Sequence, residues 1–181
     1  NGYVTNDGDI KEDFWQYVNR EYVAKGVIQK NDISSGYHCM TIPYLEDQLE
    51  RSRKNLGLKC IDLMYLHNAV EGQIQDVTKE QFMKNLRMVF EFYESERKEG
   101  KIRFYGMATW ECFRVQPDNP NFLELSEVMT LANEVGGAEH GFRFIQLPFN
   151  MYLDQALIMK NQSFDGTLDS ILQVAKSYDI G

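Results

Sequence analysis

Apolar residues alternate along this chain between helical and strand periods. Over residues 43–57, Leu45, Leu49, the small Ser52 and Leu56 share one helical face, with Pro43 in the first turn and Gly57 as the terminator. Ile61–His67 is a nearly continuous apolar run of strand length, and residues 69–77 read as a largely polar loop. Thr78-Lys79-Glu80-Gln81 has capping-box spacing and opens a helix whose stripe is Phe82, Leu86, Val89, Phe90 and Tyr93. A second strand is predicted over Ile102–Thr109 and a helix over Leu125–Val135, with Val128, Leu131, Ala132 and Val135 inward. The third strand is Phe142–Phe149, where Pro148 fits only at the exit. The last helix, Leu168–Tyr178, turns Leu168, Ile171, Leu172 and Ala175 inward. Residues 1–43 are less regular: a turn at residues 6–9, a helix from Glu12 to Ala24, and loop around Ser34–Gly36.

The strand starts, Ile61, Ile102 and Phe142, are spaced about 40 residues apart, and Ile180 begins a fourth such step. Strand–helix units at constant spacing build either a (β/α)8 TIM barrel or a doubly wound sheet. A full barrel needs roughly 250 residues, so three strands and the stub of a fourth amount to about half of one. The organisation predicted is a long loop-and-helix excursion over 1–43 and a partial barrel over 44–181. The chain opens without methionine and closes at the entry to a strand, which suggests a portion of a longer protein.

Composition narrows the function classes. The 181 residues are 43% hydrophobic and 13% aromatic, as in a globular domain. A net charge of −8 lacks the clustered cations of a nucleic-acid interface, so no nucleic-acid partner is expected. No apolar run reaches membrane-spanning length, so no membrane partner is expected either. Three widely spaced cysteines, Cys39, Cys60 and Cys112, form no metal or redox motif and fit reduced thiols in a cytoplasmic protein.

Chemistry in either architecture sits at the carboxyl ends of the strands. Those ends carry His67-Asn68, then Ala108-Thr109-Trp110-Glu111, then Gln146 and Asn150. His67 suits a proton donor, a carbonyl polariser, a metal ligand or a satisfied structural group. His38 and His140 lie in loops and read as inert. Asp62 reads as a group that bonds backbone or an arginine. Trp110 walls a pocket or simply packs, and Glu111 pairs with His67 in a metal-dependent hydrolase only if a third ligand joins them. No glycine-rich phosphate loop, nucleophile elbow or H-E-x-x-H motif is present.

Three ordered motifs add a family resemblance. Leu56-Gly57-Leu58 through Ile61-Asp62-Leu63 to Tyr65-Leu66-His67 resembles the aldo-keto reductase sequence around the fourth barrel strand. Glu99-Gly100-Lys101-Ile102-Arg103 running to Gly106 resembles the approach to the fifth. Phe144-Ile145-Gln146 with Pro148 and Asn150 resembles the sixth. The resemblance implies a (β/α)8 barrel that reduces a small-molecule carbonyl with NADPH and no metal, through an Asp–Tyr–Lys–His set. His67 matches the histidine of that set, and Gln146 the glutamine that binds the nicotinamide carboxamide. Thr109 takes part in the same carboxamide clamp, although Ala108-Thr109 stands where the family carries Ser-Asn. Asn68 and Trp110 border the substrate pocket. The matching Asp, Tyr and Lys are expected upstream of Asn1; Lys30 reads better as a loop lysine. The alternative to a reductase is a non-catalytic fragment or relative that binds or assembles.

Overall fold

In the computed structural model of the chain, three parallel strands form the sheet on which everything else is mounted: β3 (Ile61–His67), β4 (Ile102–Ala108) and β5 (Phe142–Gln146), in that spatial order. The structure describes residues 20–35 and 38–181, with the backbone of the hairpin strands β1 (Gly2–Val4) and β2 (Ile10–Asp13). Ile61 pairs with Ile102, His67 with Ala108, and Ala108 with Gln146, so the three strand exits lie side by side. Past the last helix, Gly181 donates to the Arg143 carbonyl at 2.9 Å and accepts from the Ile145 amide at 2.9 Å. This is a parallel ladder, and it places the predicted fourth strand entry against the open edge of β5.

Helices α1 (Ile42–Leu56), α3 (Lys79–Lys98) and α4 (Leu125–Gly136) form where the helical period runs. Thr78 Oγ1 accepts from the Gln81 amide at 3.3 Å, closing the N-terminus of α3. Phe82, Leu86, Val89, Phe90 and Tyr93 are all buried against the sheet. There Phe90 stacks on Phe142 at 5.4 Å and meets Tyr105 edge-on at 5.1 Å. Gly57, with φ of 67°, ends α1 in the left-handed conformation. Tyr22, Ile28, Cys39 and Met40 from the N-terminal stretch join the same core as Leu45 and Leu49.

The register shifts between Tyr105 and Gly106, and the backbones of β4 and β5 approach closely there. A Cβ on Gly106 would stand 2.1 Å from the Phe144 carbonyl oxygen and 3.0 Å from the Tyr65 ring. Backbone cannot move aside as a side chain can. Gly106→Ala is therefore expected to lower stability by about 1–3 kcal/mol, read by denaturant unfolding. An unchanged midpoint would mean that this close approach relaxes without cost.

Several boundaries differ from the sequence pattern. Leu56 is 62% exposed because the inner face of α1 runs through Tyr44, Leu45 and Leu49, and the last turn projects into solvent. The expected loop after β3 contains α2 (Ala69–Gln73), which buries Ala69, Val70, Gly72 and Gln73. Gly72 lies under the His38 ring, where a Cβ would meet Cγ at 2.4 Å. The last helix, α6 (Ile171–Ser177), starts later than expected. Leu168 instead belongs to β7 (Thr167–Asp169), paired with β6 (Gln162–Phe164), and the short α5 (Gln155–Ile158) precedes them. Asp165 and Gly166 both have positive φ and make the two-residue turn of this hairpin. Residues 12 and 13 are extended in β2, the described helical turn is 20–24, and the rest of the helix expected there falls outside the described residues, as does the turn expected at 6–9. No helix among the described residues is long and apolar enough to cross a membrane.

Candidate functional site

β3 delivers His67 to the sheet edge, and Asn68 then takes a left-handed conformation (φ 47°, ψ 42°) that turns the chain into α2. The Asn68 amide donates to the Ala108 carbonyl at 2.7 Å, and the Thr109 amide donates to the Gln146 carbonyl at 2.8 Å. These two bonds lace the three strand exits together. His67, Asn68, Ala108, Thr109, Trp110 and Gln146 consequently line one cavity of about 290 Å³, together with Leu147 and Pro148. Every residue singled out for chemistry at a strand end, apart from Glu111 and Asn150, lies on its wall.

The ring of His67 is exposed, and so is the Gln146 carboxamide; neither side chain is hydrogen-bonded among the described residues. The Oδ1 of Asn68 is shielded from solvent without a partner among the described residues. Trp110 is 57% exposed, yet its backbone is fixed: its carbonyl accepts from Arg114 Nε at 2.9 Å and Nη2 at 2.6 Å, while Arg114 Nη1 donates to Gln155 at 2.8 Å.

Two residues at the site carried no legible signal. His38, expected to be inert, donates from Nε2 to the backbone carbonyl of His67 at 2.9 Å and accepts at Nδ1 from Gln73 at 3.1 Å. Burial pushes the His38 pKa below the ordinary histidine value, against the opposing pull of the bond to the His67 carbonyl. The neutral ring in this tautomer satisfies both bonds and pins the carboxyl end of β3. Glu71, in α2, reaches across to the exit of β4. Its Oε1 accepts from the Thr109 hydroxyl, from the Glu111 amide at 2.7 Å and from the Cys112 amide at 3.2 Å.

Other candidates are placed elsewhere. Glu111 accepts from Asn121 at 2.9 Å and lines a separate groove with Arg114 and Asp118, so the structure does not bring it to His67. No group of three His, Cys, Asp or Glu side chains suited to a metal ion occurs among the described residues. Asp62 pairs with Arg103 at 2.9 Å on the exposed surface, as its position suggested. His140 bonds Arg143 at 2.9 Å at the opposite end of the sheet. Lys30 is exposed in a 3-10 turn, Lys30–Asp32, and does not line the cavity. Asn150 uses its Oδ1 to hold the amides of Tyr152 and Leu153 in the loop beyond β5.

Consecutive strand–helix units on a parallel sheet, with polar side chains gathered at the strand exits, define a parallel α/β protein of the kind on which many enzymes are built. Residues 22–134 match the Aldo/keto reductase family, and the chain belongs to that family of oxidoreductases. The match includes His67, Asn68, Thr109 and Trp110; Gln146 lies beyond it. A comparison with curated proteins gives no match.

Proposed function

We propose that the intact protein is an NADPH-dependent carbonyl reductase, a closed (β/α)8 barrel in which β3, β4 and β5 occupy the fourth to sixth positions. The observation that carries this reading is the meeting of His67 and Gln146, from strands separated by β4, in one strand-end cavity. The family generally uses NADP(H), and the side chains present fit its nicotinamide end. The unengaged carboxamide of Gln146 and the shielded, unpartnered Oδ1 of Asn68 are a donor–acceptor set complementary to another carboxamide.

NADPH, when bound, would supply a hydride to the carbonyl carbon of the substrate, and the oxygen would take its proton from the Asp–Tyr–Lys–His set that the family resemblance implies. His67 donates an N–H to the carbonyl oxygen and orients it, from a backbone that His38 prevents from drifting. Gln146 sets the rotation of the nicotinamide ring through its carboxamide. Thr109 serves the same group from the β4 exit, where the Ala108 side chain offers no hydrogen bond. Trp110, exposed on a clamped backbone, gives an apolar wall for the substrate. Cytoplasmic residence is part of the proposal and agrees with three unpaired cysteines.

The test is spectrophotometric loss of NADPH by the purified intact protein over a panel of aldehydes and ketones. Turnover on at least one member is expected, and the same assay with NADH sets the nucleotide preference. Failure on every member overturns the reading and favours a binding or assembly role.

A further inference from the structure

Glu71 lies four positions beyond His67, in the short helix that Asn68 starts, yet one oxygen of its carboxylate, Oε1, is spent on the neighbouring strand's exit, while Oε2 is buried with no hydrogen bond among the described residues. Three donors from that exit converge on Oε1: the Thr109 hydroxyl and the amides of Glu111 and Cys112. The Cys112 amide is shared with Thr109 Oγ1, at 3.1 Å. These bonds link the His67 exit to the Thr109–Cys112 turn across segments that are distant in sequence.

They also settle the polarity of Thr109. A hydroxyl has one proton and two lone pairs. The proton goes to Glu71, and one lone pair receives the Cys112 amide. What remains is a single acceptor position, on a residue that is 5% exposed and lines the strand-end cavity. We propose that Glu71 is a positioning residue that orients Thr109 as an acceptor for the N–H of the nicotinamide carboxamide, an inference that rests on the carbonyl-reductase reading above. Of the β4-exit residues that line the cavity, Ala108, Thr109 and Trp110, Thr109 alone carries a side-chain acceptor among the described residues, and Glu71 decides whether it is presented.

The intact protein is compared with its Glu71→Ala and Glu71→Gln variants. Glutamine keeps an oxygen where Oε1 stands, so it preserves all three bonds while removing the charge. In Glu71→Ala the Kd and KM for NADPH are expected to rise about tenfold, the value of one directed hydrogen bond, with kcat less affected. Glu71→Gln restores both constants to near the wild-type values. A second measurement follows the turn without any cofactor: Cys112 is fully buried, and its labelling by a thiol reagent, resolved by peptide mass, is expected to accelerate in Glu71→Ala and not in Glu71→Gln.

Unchanged NADPH binding in a Glu71→Ala protein overturns the proposal, whether or not Cys112 is released. So does a Glu71→Gln variant as weak as Glu71→Ala, because that result assigns the effect to charge. A wild-type protein that binds no NADPH overturns the reductase reading and this proposal with it. A wild type that binds, beside a Glu71→Ala that binds equally, removes the proposal alone.

Discussion

His67→Ala is expected to lower kcat/KM for carbonyl reduction by about 10²–10³-fold, the usual contribution of one positioned hydrogen-bond donor to the oxygen on which charge develops. NADPH binding and thermal stability are expected to stay at wild-type values. The separation of these effects follows from where the ring sits. It is exposed at a strand end and makes no side-chain hydrogen bond among the described residues, so its removal leaves neither a core cavity nor an orphaned buried partner. Steady-state kinetics, nucleotide titration and a thermal melt on the same preparation measure the three quantities. His38→Ala gives the contrast. It frees the His67 carbonyl and the Gln73 amide, so activity and stability should fall together. A His67→Ala protein that turns over at the wild-type rate takes His67 out of the site.

What the sequence made legible was the scaffold under that histidine. β3, β4, α1, α3 and α4 are governed by local rules: period, a threonine cap at Thr78, a left-handed glycine at Gly57. β5 was legible too, ending at Gln146 a few residues earlier than Pro148 suggested. The strand-end position then singled out His67 and Gln146, and the family resemblance gave them roles. The parts that escaped are held by contacts distant in sequence. α2 is short and polar on paper, and its stability comes from Gly72 under His38, Gln73 on the same ring and Glu71 on the next strand's exit. None of these leaves a periodic trace. The β6–β7 hairpin is a different kind of miss, since Asp165-Gly166 is a strong turn pair. Its strands are only three residues long and their exposed Phe164 and Leu168 do not alternate against a core. The Leu168 position therefore imitated the inner face of the helix that follows.

The largest stability loss is expected from Glu94→Ala, far from the strand exits. Glu94 is 5% exposed on α3, and its Oε1 accepts from the Tyr105 hydroxyl at 3.0 Å and the Gly141 amide at 2.7 Å. Its Oε2 accepts from Arg97, whose guanidinium also holds the carbonyls of Arg103 at 3.0 Å and Glu139 at 3.2 Å. One carboxylate thus joins α3 to the middle of β4 and to the entry of β5. Glycines make the room: a Cβ on Gly136 would reach 2.8 Å from Glu94 Oε1, and one on Gly141 2.2 Å from Arg97 Cδ. Burial first, and then the Glu94 charge, push the Tyr105 hydroxyl above its ordinary pKa, so it stays protonated and keeps donating at neutral pH. Alanine strips this cluster of its acceptor, leaving a buried hydroxyl and a buried amide unpaired and Arg97 without its acid. The expected cost is about 3–5 kcal/mol, which for a domain of this size is a fall of about 10 °C in Tm. Glu94→Gln retains an acceptor for Tyr105 and Gly141 and loses only the charge toward Arg97, so its loss should be about half as large. Denaturant unfolding of the three proteins gives the order directly. Because Glu94 lies at the opposite end of β4 from Thr109, the folded fraction of each variant should keep the wild-type KM for NADPH. A Glu94→Ala protein as stable as the wild type would mean that water replaces the carboxylate without penalty, and the glycines at 136 and 141 would then need another explanation.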